Sequence, residues 1–264
     1  MRMNKYNTIK TEQKDTILII TLNRPEVRNA LNEEMVGELS EVFADPGKLT
    51  EINNVILTGT GSSFCSGADL SYLKSLQGRT FAEQKQDSEN LLVMYKNIYY
   101  FEKPVTALVN GPAIGGGCGL ASICDFVIAS DSAKFGYPEV KIGFTPAIVS
   151  VFLLYSLGFR KAKDLLLSGR ILDAKESLEF GLINKIEPRE KLLSNGFEFV
   201  KELGKNSPTS MKITKNFLNH IQQVNSMDEL LNESAEFNAK SRFEDDFIEG
   251  ISAFIEKRTP KWQI

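Results

Sequence analysis

The sequence predicts an α/β protein whose alternating strands and helices give way to an all-helical C-terminal region. Two observations carry this. In the first half of the chain, short β-branched apolar runs alternate with segments of helical periodicity. After Pro146 the pattern is helix upon helix, interrupted only by GLINKIE at 181–187. No Pro-, Ser- or charge-rich stretch reads as a linker, and no repeat is visible. The expected organisation is an α/β core over 1–195 and a helical extension over 196–264.

Each element has its own signal. TILIITL (16–22) is a β-branched strand closed by the turn residues Asn23, Arg24 and Pro25. From Asn29 to Phe43, Ala30, Leu31, Met35, Leu39, Val42 and Phe43 recur at helical spacing. NNVILTG (53–59) is a second strand, 88–101 reads as a helix, and KPVTALVNG (103–111) as a buried strand ended by Gly-Pro. DFVIAS (125–130) and AKFGYPE (133–139) add two extended pieces. In the tail, Leu230, Leu231, Phe237, Phe243, Phe247, Ile251 and Phe254 form an amphipathic pattern suited to packing on the same domain or on a neighbouring subunit.

Composition narrows the function classes. With 264 residues, 42% hydrophobic and 25% charged, the chain can bury a sizeable core. A net charge of −3 argues against a general nucleic-acid surface. No apolar run approaches a membrane span, and the polar stretch MRMNKYNTIKTEQKD lacks a signal peptide's apolar region. Cys65, Cys118 and Cys124 form no C-x-x-C pair, and their odd number suits a reducing cytoplasm. No clustered His/Cys ligand set suggests a metal, and with no G-x-S-x-G and His220 as the only histidine, a serine hydrolase is not expected. His220, in FLNHIQ, reads as a helix-surface residue, and the cysteines as packing residues that would need a depressed pKa to react.

The chemistry is expected where strands hand over to helices. AIGGGCGLASICD (113–125) has four glycines in five positions, yet no Lys-Ser or Lys-Thr follows, and Leu120 breaks G-x-G-x-x-G. VILTGTGSSFCSGADL (55–70) has the same order of strand, small-residue loop and helix start. Glycine turns alone would explain one such loop. Two matching loops, each presenting unpaired N–H groups at a helix start, point to an oxyanion hole built for a carbonyl that becomes negatively charged.

FCSGADL (64–70), NGPAIGGGCGLASICD (110–125) and AKFGYPEVKIGFTP (133–146) resemble the signature segments of the crotonase, or enoyl-CoA hydratase/isomerase, superfamily. NRPEVRNAL (23–31) and AFIEKR (253–258) match as well, so the resemblance covers essentially the whole chain. It implies a crotonase-like spiral of short β-strands and helices (a ββα superhelix) with a C-terminal helical trimerisation region. The implied substrate is an acyl-CoA thioester, with no cofactor beyond the coenzyme A it carries. The N–H groups of Ala68 and Gly116 would hold the thioester oxygen as an enolate.

Hydratases of that family generally use two glutamates. The second is present as Glu139 in FGYPEV, whereas the first position, three residues after the oxyanion-hole glycine, is Gly119. From pattern alone, Glu139 is equally a solvent-facing carboxylate near a helix start; the resemblance assigns it catalysis. IGFTPAIVSVFLL (142–154) resembles bacterial hydratases of branched or carboxylated enoyl-CoA, including methylglutaconyl-CoA hydratases. The expected activity is therefore hydration across the 2,3 double bond with a single glutamate. A Δ3–Δ2 enoyl-CoA isomerase is the alternative, and a non-catalytic acyl-CoA-binding or scaffold protein the third reading.

The resemblance also assigns CoA contacts to Arg28, Ala30, Ser66, Asp69 and Leu70, with Phe254 and Lys257 completing the site, often from a neighbouring subunit of a trimer or dimer of trimers. For Arg28 and Lys257 a solvated surface cation is the competing reading. The polar segment 71–88 is expected to shape the acyl pocket, with Met94, Tyr95, Tyr137, Phe144 and Ile148 lining it.

Overall fold

The computed structural model describes residues 6–224 and 226–263; the first five residues of the polar N-terminal stretch lie outside them. Strand β1 (Ile9–Lys14) pairs antiparallel with β2 (Ile17–Leu22), and a turn leads into α1 (Glu33–Ala44). β3 (Asn54–Gly59), α2 (Leu70–Ser75), α3 (Phe81–Tyr99), β4 (Val105–Val109), β5 (Ala113–Ile114) and α4 (Gly116–Ser122) follow. Next come β6 (Phe126–Ser130), β7 (Lys134–Gly136), α5 (Ala147–Ser168), β8 (Ile171–Asp173), α6 (Ala174–Phe180), β9 (Lys185–Glu187) and α7 (Leu192–Leu203). The tail is α8 (Pro208–Ile221), α9 (Met227–Ser241) and α10 (Asp245–Glu256).

The main sheet runs β1-β2-β3-β4-β6-β9, parallel except for β1; a second sheet runs β5-β7-β8. Strand alternation divides the main sheet between two cores. Val55, Leu57, Ala107, Val109 and Val127 face the larger core with α1 and α3, whereas Ile56, Leu108 and Ile128 face Leu192 and Val200 of α7. Helix α7 thus packs on the sheet and runs across the 195/196 division expected from the sequence; the helices that stand apart from the sheet begin with α8.

Three elements differ from the sequence expectation, each for a local reason. β1 carries no apolar alternation because it is a mostly exposed edge strand. α1 begins at Glu33 rather than Asn29: Asn29 has φ 57° and donates to the carbonyls of Thr60 and Ser63, each at 2.9 Å, and Asn32 caps the helix by accepting from the Met35 N–H. α3 begins at Phe81, where Thr80 and Glu83 form a capping box; its first turns are solvated, so periodicity reveals only the part that buries Met94, Tyr95 and Ile98.

The tail is tied to the core through α8. Lys215 pairs with Asp125 at 2.6 Å, Lys212 with Glu102 at 2.8 Å, and the Tyr99 hydroxyl donates to Gln222 at 2.7 Å. His220 pairs with Glu233 at 2.6 Å between α8 and α9, as a helix-surface residue would. No helix among the described residues is long and apolar enough to cross a membrane.

Candidate active site

Parallel neighbours β3 and β4 end side by side, so their following loops meet beyond the carboxyl ends of the strands. The loops are zipped together: Ile114 N–H donates to the Cys65 carbonyl at 2.9 Å, and Phe64 N–H to Pro112 at 3.1 Å. A Cβ on Gly117 would stand 2.1 Å from the Cys65 oxygen, so only glycine permits this approach.

The zipped loops leave two donors free. Leu31 donates to the Gly67 carbonyl at 2.7 Å and accepts from Asp69 N–H at 2.8 Å, bypassing the Ala68 N–H between them. Gly116, the first residue of α4, likewise has an N–H without a partner among the described residues. The two converge: a Cβ placed on Gly116 would lie 4.0 Å from the Ala68 nitrogen. Both residues line one cavity of about 1470 Å³.

Glu139 enters that cavity from the 3₁₀ turn Pro138–Ile142. Its Oε2 is buried without a hydrogen-bond partner, and burial pushes the carboxyl pKa above the usual range. Gly115 makes room for it. That residue sits at φ 54° and ψ −124°, and a Cβ there would meet Glu139 Oε1 at 2.8 Å. The arrangement sets a carboxylate able to accept a proton beside two unpartnered N–H donors.

Gly119 carries no side chain and has no space for one. A Cβ there would stand 2.3 Å from Val149 Cγ1 and 3.2 Å from the Tyr95 hydroxyl. The cysteines are inert: burial pushes the Cys65 and Cys118 thiols up to about 12, and Cys124 upward as well. Among the described residues no cluster of His, Cys, Asp or Glu could hold a metal ion.

Other residues singled out in the sequence are distributed unevenly. Arg28, Ala30, Ser66, Asp69 and Leu70 all line the cavity. Arg28 is exposed, with no side-chain partner among the described residues, and Leu70 is 69% exposed at the rim. Asp69 is already engaged: it caps α2 and pairs with Arg24 at 2.9 Å. Burial acts to raise its pKa, but the hydrogen bonds from Arg24, Tyr72 and Ser71 outweigh this and hold it low. Tyr95, Phe144 and Ile148 line the cavity, whereas Met94 and Tyr137 lie in the core and do not, a correction to the sequence expectation. Phe254 and Lys257, on and just after α10, do not line this chain's cavity. Val149 and Arg24 were not read from the sequence; only the fold brings them to the site.

The model for the enoyl-CoA hydratase/isomerase family matches residues 12–264. The chain belongs to that family. It resembles a Thermus thermophilus relative at 40% identity over 254 residues, covering 95% of this chain and 98% of the relative. A short-chain-enoyl-CoA hydratase of Clostridium acetobutylicum is 35% identical over 259 residues, covering 96% of this chain and 97% of its own. The crystal structure of an enoyl-CoA hydratase from Shewanella pealeana superposes with a TM-score of 0.93 at 28% identity, over 98% of this chain and 97% of that one. The spiral α/β fold of this family member is therefore the crotonase fold, and the protein is an enzyme of the hydratase/isomerase type.

Proposed function

We propose that this family member is an enoyl-CoA hydratase that works with one glutamate. The observation that carries the reading is the buried, partnerless Oε2 of Glu139 beside the free N–H groups of Ala68 and Gly116. Ionised Glu139 takes a proton from water as the water oxygen bonds to C3 of the enoyl thioester. The electron pair moves onto the thioester oxygen, which Ala68 and Gly116 stabilise as an enolate. Glu139 then returns its proton to C2, so one water is added and the carboxylate is regenerated. Dehydration is the same path reversed. Arg28, Ala30, Ser66 and Leu70, which line the cavity, contact coenzyme A on this reading, and Phe254 and Lys257 complete the site from an adjacent subunit of a trimer.

Gly119 supports a second reading, because one carboxylate suffices to carry a proton between C2 and C4 in a Δ3–Δ2 isomerase. Hydration ranks first because the named relatives are hydratases. Crotonyl-CoA hydration measured beside isomerisation of a 3-enoyl-CoA decides. Faster hydration is expected, isomerisation alone selects the second reading, and neither leaves a protein that only binds acyl-CoA.

A further inference from the structure

The helix that presents the Gly116 donor starts badly by its own propensity. Gly115 is its N-cap and Gly116, Gly117 and Gly119 fall in its first turn, where glycine is a poorer helix former than alanine. The donor N–H sits in the Gly115–Gly116 peptide, which the helix holds only through the bond from Gly119 N–H to the Gly115 carbonyl at 2.9 Å, and an oxyanion hole works only if its N–H groups are oriented before the charge develops. A second anchor comes from outside the helix. Tyr95, on α3, donates its hydroxyl to the Gly116 carbonyl at 2.6 Å.

We infer, on the reading of the site given above, that Tyr95 is a positioning residue for the oxyanion hole: its hydroxyl holds the Gly116 carbonyl, one peptide on from the donor N–H, and so fixes the tilt of the glycine turn that carries the donor. The ring is fully buried and stacks with Phe152, centroids 6.0 Å apart, so the phenol has little freedom to swing away. Its oxygen lies 3.3 Å from a Cβ built on Gly116 and 3.2 Å from one built on Gly119. Burial holds the phenol pKa well above its usual value, so it remains a neutral donor across the working pH range. Tyr95 also lines the cavity, but with its proton committed to the Gly116 carbonyl it acts on the hole through the backbone.

The test is Tyr95→Phe, which removes the hydrogen bond and keeps the ring. Acetoacetyl-CoA is the probe: its enolate absorbs in the near ultraviolet, and the fraction bound as enolate reports the strength of the hole without turnover. Tyr95→Phe should lower that fraction and kcat for crotonyl-CoA together, by roughly tenfold, less than the 10²–10³ lost with a donor itself. KM should stay near the wild-type value. Phe152→Leu, which loosens the same packing but leaves the hydroxyl, should keep the enolate band. An unchanged band in Tyr95→Phe, or equal losses in both variants, overturns the inference. A wild-type protein that gives no enolate band overturns the thioester reading of the site, and this inference with it.

Discussion

Glu139 keeps a buried carboxylate oxygen without a partner, and two consequences follow from that single residue. Burial raises its pKa, so folding favours the protonated form. That contribution to stability is fully present below the ordinary value of 4.5 and is lost as pH rises through the folded pKa. Glu139→Gln should therefore raise Tm at neutral pH, with the gain shrinking towards pH 4.5 and below. The same change should lower kcat by about 10²–10⁴ with little effect on KM, and the wild-type acid limb should lie above 4.5. Gly119→Glu is the complementary variant. Its Cβ would meet Val149 Cβ at 3.0 Å and Cγ1 at 2.3 Å, so crotonyl-CoA hydration should fall and stability drop by about 1–3 kcal/mol. Adding Val149→Ala should recover part of the lost Tm, as coupling between touching residues requires. A large gain in hydration from Gly119→Glu would reject a site organised around Glu139 alone.

Among the elements, α8 joins the tail to the core through a partly buried ion pair. Lys215 and Asp125 side chains are 10% and 25% exposed, and Asp125 also accepts from the Val105 N–H at 2.7 Å. Lys215→Met leaves the carboxylate short of one donor and should cost about 1–3 kcal/mol. Hydrogen exchange should locate the effect: amides of α8 should exchange faster while those of β4 keep their protection. Uniform acceleration across both elements would mean that tail and sheet unfold as one unit. The elements also mark the limits of periodicity as a signal. β3 and β4 were legible because burial is continuous along them. β1 and the first turns of α3 were not, because solvent places no demand on residue type at most of their positions.

At the scale of the molecule, the tail offers more apolar surface than one chain covers. Phe243, Phe254, Met227 and Ile255 are 85%, 84%, 70% and 73% exposed, and Ala253 is the only residue buried among the described side chains of α10. Exposed apolar surface of this extent is what the proposed trimer would cover. Light scattering at micromolar concentration is expected to give a trimer or a multiple of it. Phe254→Asp should produce smaller species and raise KM for the CoA substrate by about tenfold or more, since a large aromatic anchor is lost from a shared site. A wild-type monomer would remove both the assembly and the placement of Phe254 and Lys257 beside a neighbour's cavity.

The sequence by itself determined the family, through two glycine-bearing loops and the segments around them, because each depends on chemistry confined to a few consecutive positions. Glycine must stand at 115 for its positive φ and at 117 for close approach. Only the tertiary structure decided what surrounds them. Tyr95 lies 21 residues before Gly116 on another helix, and Val149 lies on α5 against the Cβ direction of Gly119. A hydroxyl on a buried helix face and a valine in an apolar run look like ordinary packing in one dimension. Their meaning depends on which backbone atoms the fold brings against them, and no local pattern encodes that proximity.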